Sequence, residues 1–213
     1  TYSDSPKLPY LTHRLGKTFE SMNICIKRCA CHINAHAPIE ALQELREQNR
    51  FNPEAIREIV VGGIEKLVTH HAIYKPKDLM MAQYSIPFCV ALSVYYDPTD
   101  PASFDEAKLK DKKILAMMRK VKLKVDSEIE EKGWDRAARV TVGLANKQRH
   151  SKLVIHFKGT PRNPLNQTEV EAKARTLTRE ILSAPKLAFL IDMVANLETI
   201  DDVSSIGEIL RSA

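Results

Sequence analysis

The alternation of apolar and polar residues predicts β-strands in several parts of the chain. Period-two alternation runs through 18–26, 121–125, 138–144 and 152–157, and the polar connection between the last two is typical of a hairpin. Residues 58–68 are apolar and β-branched around Gly62-Gly63, which predicts a strand with a bulge or bend. Adjacent residues on a strand point to opposite faces, so we expect His70 and His71, which follow it, to be surface or edge residues.

Apolar residues at helical spacing predict the remaining elements. A helix is predicted over 37–48, a long apolar helix interrupted at Pro87 over 77–95, and a third over 111–119. From Thr168, which is spaced from Glu171 as a capping box, the pattern is helical to the end, with breaks at Pro185 and near 201–202.

This order of elements predicts an α+β fold, with a small mixed or antiparallel sheet, packed helices and a C-terminal helical tail. We divide the chain into an irregular segment over 1–17, an α+β domain over 18–167, and C-terminal helices over 168–213.

Composition restricts the class of protein. The chain has 213 residues, of which 44% are hydrophobic and 28% charged, and none of its apolar runs approaches the ~20 residues that span a bilayer. The formal net charge of +5 suits anionic ligands. The densest basic run, 108–124, alternates with apolar residues, which favours a solvated face over a nucleic-acid surface. Three of the four cysteines lie within seven residues, which is poor spacing for disulfides and favours a reducing, intracellular compartment.

The segment 27–36 carries the strongest candidate chemistry. Lys27, Arg28, His32 and His36 lie at a predicted strand-to-helix junction, where cations and imidazoles can bind an anion and transfer protons. A structural alternative is that the basic residues are solvated and His36 caps the helix. A zinc site is a third interpretation, although the ligands it would use lack the usual separation between pairs: Cys29, Cys31, His32 and His36.

Two further segments contain unusual polar residues. Gln83, Tyr84 and Ser85 interrupt an apolar stretch and need hydrogen-bond partners if they are buried. Residues 159–165, Gly-Thr-Pro-Arg-Asn-Pro-Leu, predict a stiff loop that turns a strand into a helix.

Taken in order, these three segments resemble the C-terminal half of the MmgE/PrpD family, the 2-methylcitrate dehydratases and their relatives. The family pattern is a Lys followed by Cys and His before a helix, then Ala-Gln-x-Ser-x-Pro-[Tyr/Phe]-x-Val-Ala, then Gly-x-Pro-x-Asn-Pro-Leu. This sequence has Lys27, Cys31 and His32, then Ala82 to Ala91 as Ala-Gln-Tyr-Ser-Ile-Pro-Phe-Cys-Val-Ala, then the loop at Gly159. The resemblance covers about residues 15 to 180.

The resemblance implies a homodimeric lyase without metal or cofactor, cytoplasmic or mitochondrial, that acts on a small polycarboxylate. An N-terminal helical domain, which supplies Asp and His residues, would be the partner of this α+β domain, with the active site between them. The chain would then be only part of the catalytic unit.

The same resemblance suggests roles for individual residues. Lys27 and His32 match active-site positions of decarboxylase relatives and are predicted to be catalytic, with Lys27 stabilising charge on a carboxylate and His32 acting as acid or base. The predicted substrate-binding residues are Arg28, His36, Gln83, Tyr84, Ser85 and Phe88.

Phe88 departs from the decarboxylase relatives within the family. Decarboxylase relatives carry Tyr at that position, so its absence favours dehydration, although Tyr84 one turn earlier could substitute. The leading hypothesis is therefore a 2-methylcitrate dehydratase-like hydro-lyase. A cis-aconitate-type decarboxylase and an iminodisuccinate-type epimerase are alternatives, and a non-catalytic module that binds anions or protein is the alternative of another class.

Overall fold

Four strands form one mixed sheet, in the order β2-β1-β3-β4, in a computed structural model that describes residue 5 and residues 7–211. The strands are β1 (Ile56–Gly63), β2 (Val121–Val125), β3 (Ala138–Leu144) and β4 (Arg149–Val154). β1 and β2 are parallel, whereas β1 with β3 and β3 with β4 are antiparallel. The predicted α+β fold with a small mixed sheet is confirmed.

Helices pack on this sheet and extend beyond it. The α-helices of the described residues are α1 (His36–Asn49), α2 (Glu65–His71), α3 (Leu79–Tyr84), α4 (Ile86–Tyr95), α5 (Lys112–Met118), α6 (Ser127–Glu131), α7 (Gln167–Thr178), α8 (Ala184–Ala195) and α9 (Ser204–Arg211). α1 contacts β3 and β4 and also packs on α4. α4 is apolar on all its faces, and its residues from Ile86 to Val94 are buried, as expected of a helix within the core.

The end of β1 differs from the prediction. The strand stops at Gly63 and α2 begins two residues later, so residues 65–68 are helical rather than extended. A Cβ at Gly63 would lie 2.7 Å from the Cδ1 atom of Leu67, so a larger residue at position 63 would displace the Leu67 side chain from its contact with the strand end. The predicted strand over 58–68 is therefore wrong after Gly63, and His71 lies at the end of a helix.

The alternating segment 18–26 is not a strand. Glu20–Asn23 forms a 3-10 turn, and the neighbouring Phe19, Met22 and Ile24 are 63–78% exposed. A strand needs a partner along its edge. The contact of this segment with Gly159 is a single backbone hydrogen bond from Ile26, which gives no ladder.

Three other boundaries differ in detail. Asn166, rather than Thr168, caps α7, and its capping box is completed by Glu169. The long apolar helix breaks at Ser85, the N-cap of α4, so that Pro87 lies in the first turn of α4 instead of within a helix. The second strand of the hairpin is Arg149–Val154, earlier than the predicted 152–157.

The C-terminal helices form a chain of contacts, in which α7 packs on α8 and α8 on α9. Their buried apolar residues are few, whereas many others are exposed: Val170, Leu177, Ile181, Phe189, Val194, Leu197, Val203 and Leu210. The proposed division at residue 168, and packing of these helices on a further domain, stay predictions. None of the described helices is long and apolar enough to cross a membrane.

Gly159 provides a test of the loop that follows the sheet. Its φ is +103°, and a Cβ there would lie 2.1 Å from the Ile26 carbonyl oxygen. At Gly133, with φ +62°, a Cβ would meet nothing within 4 Å. We expect Gly133→Ala to lower the free energy of unfolding by about 1 kcal/mol, and Gly159→Ala by at least about twice that, because it adds a backbone clash. Urea unfolding of both variants measures the difference, and equal losses would contradict the proposed close approach.

Candidate active site

The segment that carries Lys27 is held between the Gly159 loop and α7. The Ile26 N–H donates to the Gly159 carbonyl at 2.9 Å, and the Lys173 ammonium donates to the Lys27 carbonyl at 2.6 Å. The Lys27 side chain is exposed, and its ammonium donates to the Cys31 carbonyl at 3.0 Å. The positive charge of Lys27 is thereby fixed beside the residue that precedes His32, with two N–H groups left for an anion.

Local sequence explains why His32 is presented at the surface. The buried side chains of Cys29 and Cys31 anchor the segment in the core. The His32 N–H donates to the Gln83 carbonyl at 2.8 Å, which ties this segment to the end of α3. A 3-10 turn, Ile33–Ala35, then leads into α1, and the His32 side chain caps that turn.

The His32 ring lies in a cluster with His71 and Tyr84. Its centroid is 4.3 Å from that of His71 and 4.7 Å from that of Tyr84. His71 is buried, whereas the Tyr84 side chain is 49% exposed. The cluster therefore has one wall in the core and one open to solvent, and His32 lies between them.

Hydrogen bonds define which nitrogen of each ring carries a proton. The Nδ1 atom of His32 accepts from the Asn34 N–H at 3.2 Å, so the neutral ring presents Nε2–H. His71 Nδ1 lies 3.1 Å from the Tyr84 carbonyl and must donate to it. His71 Nε2 then accepts from the Asn34 side-chain amide, 3.3 Å away. Asn34 thus orients both imidazoles, one through its backbone and one through its side chain.

The surroundings favour the neutral form of both histidines. Burial lowers the pKa of His32 below its ordinary value, and the nearby His71 and Lys27 lower it further. Burial also lowers the pKa of His71, against the opposing effect of its hydrogen bond to the Tyr84 carbonyl. At neutral pH the cluster therefore offers His32 Nε2–H as a hydrogen-bond donor beside the Lys27 ammonium.

His36 lies in the interior, on the inner side of this segment. It is 3% exposed, its Nε2 accepts from the Cys29 N–H at 3.3 Å, and its Nδ1 lies 3.3 Å from the His32 carbonyl. Burial lowers its pKa to about 4. With both ring nitrogens engaged, His36 holds the segment that carries Lys27 and His32, so we assign it a positioning role rather than a direct contact with substrate.

Ser85 and Phe88 are also enclosed, with 0% exposure. The Ser85 hydroxyl donates to the Ile73 carbonyl at 2.5 Å and accepts from the Phe88 N–H at 3.0 Å, as the N-cap of α4. These two residues stabilise the junction between α3 and α4, where Ser85 has an extended backbone. A ligand at His32 would not touch them in this conformation. Gln83 is partly buried, and its backbone carbonyl is the group that reaches His32.

Arg28 points towards a different part of the molecule. Its guanidinium lies 3.7 Å from the Glu40 carboxylate, and it lines a cavity of about 160 Å³ together with Glu169 and Lys173 of α7. The structure therefore brings Lys27, His32 and Tyr84 together, while Arg28 lies beside α1 and α7.

Two residues of the cluster, Asn34 and His71, were missed by the sequence analysis. His71 was predicted to be a surface or edge residue, and that prediction is wrong because α2 places its buried ring against His32. The available signal was the Gly62-Gly63 pair, which ends the strand and permits a helix to place His71 on its inner face.

The proposed zinc ligands do not form a metal-binding group. No set of three or more His, Cys, Asp or Glu side chains suited to a metal ion is found between residues 7 and 211. The contact between the Cys31 sulfur and His36 Nδ1 measures 4.0 Å. A hydrogen bond with Cys31, together with burial, raises the pKa of the Cys29 thiol. The pKa of Cys31 is lowered by its hydrogen bond with Cys29 but raised overall by a hydrogen bond with Cys89 and by burial, so both thiols favour the protonated form.

Removing the His71 ring tests the coupling within the cluster. We expect His71→Asn to raise the pKa of His32, because the charge repulsion that His71 adds is lost. His70→Asn is the matched control, since His70 is exposed and bonded to Thr69. NMR titration of the His32 ring checks this expectation, and an unchanged pKa in His71→Asn would contradict it.

Comparisons with known proteins identify the family that this chain resembles and a curated relative. The family model for the MmgE/PrpD C-terminal domain matches residues 29–199. The cis-aconitate decarboxylase-like protein oryM of Aspergillus oryzae is 25% identical over 205 residues, which cover 92% of this chain and 42% of that protein. The chain thus spans less than half the length of this curated relative.

Proposed function

Because the chain belongs to the MmgE/PrpD family, we propose that it supplies one side of the active site of a lyase that acts on a di- or tricarboxylate. The observation that carries this proposal is the Lys27 ammonium, close enough to His32 to affect its charge, together with the exposed Tyr84 ring, whose centroid lies 4.7 Å from that of His32. A fixed cation and two neutral donors suit a substrate with several carboxylates.

Lys27 is proposed to bind the carboxylate next to the reacting carbon. Loss of a proton or of CO₂ at that carbon places negative charge on the adjacent carboxylate. A cation that is already held by the Cys31 carbonyl needs little reorganisation to stabilise this charge. We infer that Lys27 binds the transition state more tightly than the substrate.

His32 is proposed to act as a donor rather than a base. Its Nδ1 is engaged by the Asn34 N–H, and a base would have to give up that bond to expose a lone pair at Nε2. A neutral imidazole can polarise an oxygen through its N–H, as in other enzymes that keep histidine uncharged. The base that removes a substrate proton would then come from another part of the full-length protein.

Dehydration is our first proposal for the reaction. In it a base removes a proton beside a carboxylate, the C–O bond breaks, and the hydroxyl leaves as water with a proton from a donor. The Tyr84 hydroxyl can supply the proton to the leaving oxygen, while the Nε2–H of neutral His32 donates a hydrogen bond to that oxygen without transferring its proton.

Decarboxylation is a second candidate. Phe88 is buried away from a ligand at His32, so the lack of a tyrosine hydroxyl at this position does not argue against the reaction. The substitution of Phe for Tyr at this position concerns packing within the core, because Phe88 is fully enclosed. The phenol exposed beside His32 belongs to Tyr84. In this reaction the C–C bond breaks, CO₂ leaves, and the electron pair on carbon takes up a proton. The Aspergillus oryzae relative is a cis-aconitate decarboxylase-like protein, which supports the same reaction.

The proposed partners are an N-terminal helical domain of the same enzyme and a second copy of the protein. Exposed apolar side chains support a further packed domain, and they lie both on α7–α9 and in the N-terminal segment: Leu8, Tyr10, Leu11, Leu15, Phe19, Met22, Ile24 and Ile26. Such a density of exposed apolar residues indicates a surface that is covered in the complete protein.

A substrate screen of the protein as its gene encodes it tests the proposal. The candidates are 2-methylcitrate, citrate, cis-aconitate and iminodisuccinate, and the readouts are absorbance of a new alkene, released CO₂ and racemisation by chiral chromatography. Alkene formation supports dehydration, CO₂ supports decarboxylation, and inversion alone supports an epimerase. Binding without turnover of any of the four would favour a non-catalytic anion-binding module.

A further inference from the structure

A second concentration of positive charge surrounds a cavity at the other end of the sheet. This basic cavity has a volume of about 450 Å³ and is lined by the starts of β1 and β2 and by the β3–β4 hairpin. Its charged lining residues are Arg57, Glu58, Arg119, Lys120, Lys122, Lys147 and Arg149. β1 begins at this cavity, and α2 with His71 follows its far end, roughly 20–25 Å away for an eight-residue strand.

The residues that line the cavity carry a net positive charge equal to the formal net charge of the whole chain. Six basic residues and one acidic residue line it, which gives a net charge of +5, equal to the formal net charge of all 213 residues. The rest of the chain is therefore balanced overall. Concentrating the excess in one concave region raises the local potential for anions above what a scattered excess would produce.

Part of this cluster is held in place by Glu58. Its carboxylate accepts from Lys122 at 3.1 Å and from Arg149 at 2.7 Å. Gly143 packs closely on Glu58, because a Cβ at position 143 would lie 3.1 Å from the Glu58 Cγ atom. The Lys120 ammonium donates to the Ile56 carbonyl at 2.6 Å. These contacts fix three cations around the cavity before any ligand arrives.

The other three cations have no protein partner. No ion pair or side-chain hydrogen bond joins Arg57, Arg119 or Lys147 to another residue within the described part of the chain. Lys147 also has a φ of +69°, in the left-handed region that a lysine seldom adopts. Lys147 lines the same cavity as Arg57 and Arg119. Like charges in one cavity repel one another, and a bound anion would relieve the repulsion.

We propose that this basic cavity binds the oligophosphate group of a small phosphorylated molecule. Guanidinium groups bind phosphate oxygens in bidentate geometry, and Arg57, Arg119 and Arg149 supply three such groups in one cavity. The volume falls within the range of small-molecule sites, and the net charge of +5 matches an oligophosphate better than a single carboxylate. The position far from Lys27 and His32 makes this site independent of the proposed catalytic function.

Calorimetric titration of the protein as its gene encodes it tests the site. The probes are inorganic tripolyphosphate, ATP and citrate, at low and moderate salt. We expect tripolyphosphate to bind with an affinity that falls steeply as salt rises. Tighter binding of ATP than of tripolyphosphate would identify a nucleotide as the source of the phosphates, and equal binding would identify free polyphosphate. Binding of citrate as tight as that of tripolyphosphate would overturn the proposal.

Matched variants locate the binding. We expect Arg119→Gln/Lys147→Asn to weaken tripolyphosphate binding about tenfold or more, because two charge-assisted contacts are lost. Asparagine tolerates the left-handed backbone of residue 147, so folding is preserved. Lys113→Gln/Lys132→Gln removes the same charge from exposed positions outside the cavity and should leave affinity nearly unchanged. Equal weakening in both double variants, or loss of binding in Lys27→Met alone, would overturn the proposal. So would a requirement for oligonucleotides longer than a few nucleotides, which would indicate a nucleic-acid surface.

Discussion

His32→Ala is expected to lower kcat by about 10²-fold or more on whichever polycarboxylate the complete enzyme converts, because a positioned hydrogen-bond donor to the reacting oxygen is removed. The ring caps a 3-10 turn and is only partly buried, so its loss should leave the fold intact. Steady-state kinetics, with circular dichroism to confirm folding, measure the effect. Full activity in His32→Ala would remove this residue from the mechanism.

Two further variants separate the possible roles of His32. Glutamine can donate a hydrogen bond but cannot transfer a proton at neutral pH, so His32→Gln should recover part of the lost activity if polarisation of an oxygen is the main contribution. His70→Gln, one residue before the site histidine of α2, is the matched control and should keep wild-type activity. The wild-type kcat should fall as the pH drops through the lowered pKa of His32, since protonation breaks the bond from the Asn34 N–H. That acidic limb should be absent in His32→Gln.

Sequence patterns predicted the helices and strands in which apolar residues recur at regular spacing. The helix at Ile39, Leu42 and Leu45 and the strand Val121–Val125 were predicted at nearly their observed bounds, because the apolar residues of each recur on one face. Residues 18–26 have an equally regular alternation and are not a strand. Alternation specifies which side chains share a face, but a strand also requires a neighbouring edge to bond with, and that depends on the fold of the rest of the chain.

Prediction of the candidate site from sequence is limited in the same way, because part of it depends on the fold of the rest of the chain. Lys27 and His32 were found from the residue types in one short segment, and the structure places the Lys27 ammonium near the imidazole. His71 was missed because its role depends on where β1 ends, and β-branched residues after Gly63 favoured a longer strand. The strand ends at Gly63 and α2 begins at Glu65, and the contacts that then give His71 its place, with Asn34 and His32, are tertiary contacts that no local pattern contains.

Lys27→Met is expected to lower kcat/KM by about 10²–10³-fold, the usual effect of removing one group that stabilises a developing negative charge. Methionine keeps the length and apolar stem of lysine but loses the charge and the hydrogen bond to the Cys31 carbonyl. Lys27→Arg keeps the charge with a different geometry and should retain part of the activity. Lys17→Met is the matched control, because Lys17 is exposed in the same N-terminal part of the chain.

A second readout of Lys27→Met does not depend on turnover. The Lys27 charge contributes to lowering the pKa of His32, so NMR titration should show a higher His32 pKa in Lys27→Met and little change in Lys27→Arg. A raised pKa with undiminished kcat/KM would mean that the ammonium lies beside the imidazole but does not contact the substrate. An unchanged pKa would mean that the two groups are farther apart in solution, and the proposed pairing of a fixed cation with a neutral donor would then fail together with the lyase mechanism built on it.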